Sequence, residues 1–99
     1  VVKATAADAL GADFETLTAA KAKEYGFKGG VIVKKIKEKG AIDSQTRMRD
    51  GFIILKANGK EVQNMNDLAD AIIRANGRVE LSGFYPGYDG AYDYQIDLR

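Results

Sequence analysis

Leu10-Gly11-Ala12-Asp13-Phe14 is the stretch that decides how this chain reads. A leucine and a glycine stand directly before a short segment with strand character. Gly11 lacks a Cβ, so its backbone can take positive φ and turn neighbouring N–H groups toward one point. Such a concave set of amides suits an anion, and the terminal carboxylate of a peptide is one candidate. A plain turn is the other reading of three such residues, and the surrounding chain decides between them.

Downstream, Thr16-Leu17-Thr18 leads into an alanine-rich helix, Ala19 to Tyr25, with Thr18 as its N-cap and Gly26 as its end. Gly29-Gly30 precedes a strand from Val31 to about Ile36. Its three consecutive apolar residues predict cover on both faces, or a bulge where the alternation slips. Lys34, Lys35, Lys37 and Lys39 read as a solvated strand end and turn. Ala41 to Met48 reads as a short helix or helical turn with Ile42 and Met48 tucked inward. Arg49-Asp50-Gly51 turns into the most apolar strand, Phe52 to Ala57, and Asn58-Gly59 signals a tight turn into Lys60-Glu61-Val62.

The clearest helix runs from Asp67 to about Ala75, capped by Asn64 or Asn66. Leu68, Ala71, Ile72 and Ala75 form one apolar stripe, and Ala69 and Ile73 widen it. That width predicts either deep burial or a second face offered to a ligand. Asn76-Gly77 ends this helix. Arg78 to Phe84 and Ala91 to Leu98 alternate as half-buried strands joined by a loop that holds the only proline, Pro86. Tyr92, Tyr94, Ile96 and Leu98 share one face of the last strand.

Ninety-nine residues allow one domain with a modest core, and Leu, Ile, Val and Phe make up 24 of them, above the level typical of disorder. Residues 1–9 read as a linker or N-terminal arm and 10–99 as a single domain. The net charge of +1 offers no electrostatic case for nucleic acid or an anionic membrane. No apolar run approaches a membrane span. The chain has no cysteine and no histidine. Disulfides and thiolate zinc sites are therefore impossible, and the usual general base and commonest metal ligand are missing. No catalytic residue, metal or cofactor is expected. With no methionine or signal sequence at Val1, the chain reads as a piece of something longer.

The order of elements, with Leu10-Gly11 before the first strand, resembles a PDZ domain of the kind attached to HtrA/Deg serine proteases. The likeness also rests on Gly30-Val31-Ile32-Val33, on Met48-Arg49-Asp50-Gly51-Phe52-Ile53-Ile54, on Ala57-Asn58-Gly59-Lys60-Glu61-Val62 and on Asn66-Asp67-Leu68-Ala69-Asp70-Ala71-Ile72. It covers nearly all of residues 8–98. Where the family usually has Gly-Asp, this chain has Gly51-Phe52, and the turn from Asp43 to Met48 lacks the usual proline. These departures suggest a divergent, second and C-terminal copy.

The resemblance implies an α+β fold: a five- to six-stranded, partly open barrel or sandwich flanked by two helices, in the permuted strand order of protease PDZ domains. It implies a non-catalytic module that binds extended or C-terminal peptides of unfolded proteins by strand addition. The parent would be a serine endopeptidase of protein quality control in the periplasm or cell envelope, whose protease domain is a further partner. Neither nucleic acid nor membrane insertion is expected. The alternative is a docking or oligomerisation domain whose groove is filled by a neighbouring domain or subunit.

On the first reading a peptide lies between the strand Ala12 to Phe14 and the long helix. Its carboxylate takes amide hydrogens around Leu10, Gly11 and Ala12, and its last apolar side chain meets Leu10, Phe14, Ala69, Ile72 and Ile73. Asp13, solvated, tunes sequence preference. Leu10, Phe14 and Ile72 read equally well as core, and Ala69 and Ile73 as contacts to another domain. Amide bonds to a carboxylate contribute about 1.5–3 kcal/mol each, and ordering the peptide offsets much of that. The expected affinity is therefore micromolar, about −8 kcal/mol. Phe84, Tyr85, Tyr88, Tyr92 and Tyr94 are candidates for base stacking, but without a basic surface hairpin packing is the preferred reading.

Overall fold

A computed structural model of the protein describes residues 10–75, 77–88 and 90–97. The expected N-terminal arm, Asn76 and Leu98 lie outside the described residues. The chain forms β1 (Ala12–Thr16), α1 (Ala19–Tyr25), β2 (Val31–Ile36), α2 (Ala41–Gln45), β3 (Ile53–Ala57), β4 (Lys60–Glu61), α3 (Met65–Arg74), β5 (Arg78–Phe84) and β6 (Tyr92–Asp97). Five strands form an antiparallel sheet in the order β1-β2-β3-β5-β6, and β4 pairs with β3.

Local chemistry accounts for most element ends. The Thr18 hydroxyl accepts the Lys21 amide at 3.2 Å, and Gly26, at φ 84°, closes α1 in the left-handed region that glycine tolerates. Asn58 and Gly59 both take positive φ, 53° and 81°, as a two-residue hairpin turn requires. α3 begins at Met65, two residues before the expected start. Of the two candidate caps Asn64 is used, its side chain accepting the Asp67 amide at 2.9 Å.

The sheet is covered on both faces. Leu10, Ala12, Phe14, Val31, Val33, Phe52, Ile54, Leu81 and Ile96 join Ile42 of α2 and Leu68 and Ile72 of α3 in the main core. On the other face Leu17, Ala22 of α1 and Ile53 form a smaller cluster with Tyr25, Ile32, Leu55 and Phe84. Neighbours Ile53 and Ile54 therefore point to opposite faces and are both fully buried. The same two-sided cover explains Val31-Ile32-Val33. A register shift does occur as well: Asp13 pairs with Lys35 but Phe14 with Val33, which leaves Lys34 as the extra residue. That bulge lets two successive lysines stay exposed before Ile36 returns toward the core.

Candidate functional site

β1 lies at one end of the strand order, with β2 as its sole strand partner among the described residues. The Leu17 amide donates to the Gly30 carbonyl at 2.9 Å, and the Lys37 amide donates to the Gly11 carbonyl at 2.9 Å. Gly11 and Leu17 thus turn toward β2. The alternation of an antiparallel ladder then directs the N–H and C=O groups of Ala12, Phe14 and Thr16 to the outer margin. The extra residue of the bulge sits on β2, so this alternation runs unbroken along β1.

α3 runs beside that margin. The helix has three working sides. Leu68 and Ile72 enter the core. Asp67, Asp70, Ala71 and Arg74 face Ala57 to Val62 across a cavity of about 310 Å³. Met65, Ala69 and Ile73, at i, i+4 and i+8, form the remaining flank. The two elements are pinned where β1 ends, because the Met65 amide donates to Thr16 Oγ1 at 3.1 Å.

At the other end of β1, Gly11 takes φ 71° and is buried. Gly40 backs it: a Cβ built on Gly11 would stand 2.6 Å from the Gly40 Cα. The loop is therefore held by backbone packing and by the Lys37–Gly11 bond.

Of the residues expected at the site, Leu10, Ala12 and Phe14 have no exposed surface, and Ile72 retains 7 %. These four lie together in the core cluster. Ala69 is buried on the third flank of α3, whereas Ile73 is 70 % exposed and Asp13 faces solvent. Of the five aromatics read as hairpin packing, four pack there and one does not. Phe84 packs on Tyr25 and Phe27, on the α1 face, while Tyr85, Tyr88, Tyr92 and Tyr94 gather at the hairpin.

Three contributors were not legible in the sequence. Thr16 gave no sign of a partner 49 residues away. Gly40 has no neighbour in the sequence that marks it as the partner of Gly11. Gln45 proves to guard the opposite margin: its side-chain amide donates to the Asp97 carbonyl at 2.8 Å and accepts the Asp97 amide at 2.7 Å. One side chain thus occupies both backbone groups of Asp97, at the end of β6, as a neighbouring strand would. The exposed Asp93, Gln95 and Asp97 add charge and polarity along that edge. Among the described residues, the outer side of β1 has no partner strand.

No protein-family model and no curated protein matches the sequence. Among solved structures, the chain is similar to a crystal structure of the HtrA3 PDZ domain bound to a phage-derived ligand, FGRWV. The TM-score is 0.68 at 19% identity, over 90% of this chain and 80% of that one.

Proposed function

On a chain that folds as a PDZ domain, we propose a peptide-binding module that takes an extended or C-terminal segment by strand addition at the outer margin of β1. The observation that carries this reading is the contrast between the two ends of the sheet. β1 directs alternate backbone groups outward beside α3, whereas on β6 Gln45 takes both outward groups of Asp97. The HtrA3 domain, similar in fold, was crystallised with a peptide ligand, which supports the same class of partner here. Backbone amides around Leu10, Gly11 and Ala12 would receive the carboxylate. The flank of α3 with Ala69 and Ile73 would border the peptide's side chains, and Leu10, Phe14 and Ile72, closed in the core, would have to part to admit the last one. The parent would be an HtrA/Deg-type serine protease of the periplasm or cell envelope, which this module regulates or supplies with unfolded substrates.

The docking alternative has its own support. Leu10 and Phe14 are fully buried, and the exposed large apolar side chain of α3 among the described residues is Ile73. That surface suits a contact with another domain as well as a peptide side chain.

Titration of the chain with a hydrophobic peptide, in free-acid and amidated forms, separates the two. Capture of a terminal carboxylate predicts saturable shifts of the Gly11 and Ala12 amides, about tenfold weaker on amidation. An absence of response at Gly11 and Ala12 to any such peptide favours the docking reading.

A further inference from the structure

At the end of the sheet remote from β1 lies a cavity of about 210 Å³ lined by Arg47, Arg49, Tyr85, Tyr88, Tyr92 and Tyr94. We propose that this cavity is a second binding site, and that it takes a carboxylate carried on an aromatic ring. The proposal is independent of peptide binding at β1.

The cavity rests on rigid ground. Phe52 is fully buried, and Tyr94 meets its ring edge-on with centroids 5.2 Å apart. Tyr85 packs on Phe52 at 4.9 Å and on the edge of Tyr92 at 5.2 Å. This is a structural use for the Phe52 that departs from the family's usual acidic residue. Tyr88 and Tyr92 remain 70 % and 37 % exposed, so aromatic surface is left open to a ligand. An apolar cavity of about 150 Å³ holds benzene. The present one therefore has room for one ring and its carboxylate.

Hydrogen-bond accounting gives the charge preference. The Tyr85 oxygen accepts the Arg49 amide at 2.9 Å, and the Tyr85 and Tyr94 hydroxyls lie 2.8 Å apart. Two phenols carry two protons, and their mutual bond uses one. Whichever oxygen donates in that bond, the other phenolic proton is left for a partner. Burial and the bond to Tyr85 push the Tyr94 phenol above its ordinary pKa. The Arg47 and Arg49 side chains pair with no carboxylate among the described residues. The polar side chains of the lining thus offer spare donors and no carboxylate. Their complement is an acceptor-only anion, and a planar carboxylate matches the guanidinium fork.

The test is an NMR titration of the chain with phenylacetate, phenylacetamide, cyclohexylacetate and inorganic phosphate, each at millimolar concentration. The expected result is saturable shifts of the Tyr85, Tyr88, Tyr92 and Tyr94 ring signals with phenylacetate. They should be about tenfold weaker or absent with the neutral amide and with Arg49→Gln, an exposed substitution whose folding is checked by core methyl shifts. Cyclohexylacetate should bind more weakly than phenylacetate. A peptide ending in Phe, free and amidated, then tells the terminus of a chain from a small free acid: stronger binding than phenylacetate assigns the former, weaker binding the latter. Equal responses to acid and amide, an undiminished response in Arg49→Gln, equal binding of cyclohexylacetate, phosphate shifts matching those of phenylacetate, or no shift at these rings would each overturn the proposal.

Discussion

Gly11 and Gly40 meet backbone to backbone: a Cβ on the first would lie 2.6 Å from the Cα of the second, and a Cβ on the second 2.8 Å from the Cα of the first. Atoms do not approach that closely, so each residue requires the other to lack a side chain. The contact fixes the loop that leads into β1. Gly40→Ala is expected to destabilise the domain by about 1–3 kcal/mol. It should also shift the amides of Gly11 and Ala12 selectively. Urea unfolding and an amide spectrum check both. An alanine at position 40 that left the loop amides unmoved would remove this contact from the account.

Thr16 joins the end of β1 to the start of α3 through its hydroxyl. Thr16→Val keeps the shape and removes the acceptor of the Met65 amide. The expected loss is about 0.5–1.5 kcal/mol, with faster hydrogen exchange in the first turn of α3. Thr16→Ser should restore both.

Gln45 holds Asp97 by both its backbone groups, and Gln45→Ala releases them at the margin of β6. Two effects are expected: a loss of about 1–2 kcal/mol, and concentration-dependent association through the uncovered edge. Sedimentation velocity distinguishes this variant from Gln95→Ala on the same strand, which should remain monodisperse at the concentrations where the parent chain is.

Gly83 crosses β3 so closely that a Cβ there would run into the Ile53 carbonyl. Gly83→Ala must separate β3 from β5 in the middle of the sheet. A loss of about 3 kcal/mol or more is expected, read as a lower thermal midpoint. Gly87→Ala has open space for the new methyl but a φ of 90°. It should cost less, about 1 kcal/mol.

Stability should fall in alkaline solution. The Tyr94 phenol is held above its ordinary value by burial first and by its bond to Tyr85 second. An unfolded chain releases that proton near pH ~10, where the folded chain still keeps it. The unfolded state then binds fewer protons, so the free energy of unfolding declines as pH rises through and beyond that point. Urea melts from neutral to strongly alkaline pH should show the decline, and Tyr94→Phe should lessen it.

Much of this architecture is legible from local sequence. Thr18 and Gly26 bracket α1, Asn58-Gly59 forces a hairpin, and Arg78 to Phe84 alternates as a strand with one buried face. Each signal depends on residues a few positions apart, and the backbone obeys it wherever the segment ends up. The start of α3 was misplaced by two residues because Asn64 and Asn66 are equal as isolated caps. Asp67 makes Asn64 the better choice, since its carboxylate also accepts the Gln63 amide at 3.0 Å.

The sequence by itself determined the strands, the turns, the long helix and the glycine needed for positive φ at position 11. The tertiary structure alone decided that Gln45 covers Asp97, which side of α3 enters the core, and why position 40 must also be glycine. It also brought four tyrosines and two arginines around one cavity. The division has a physical cause. Propensity and periodicity act over a few residues along the chain, whereas Gln45 and Asp97, or Thr16 and Met65, meet only after the chain has closed on itself. Nothing in the local chemistry of either partner specifies the other.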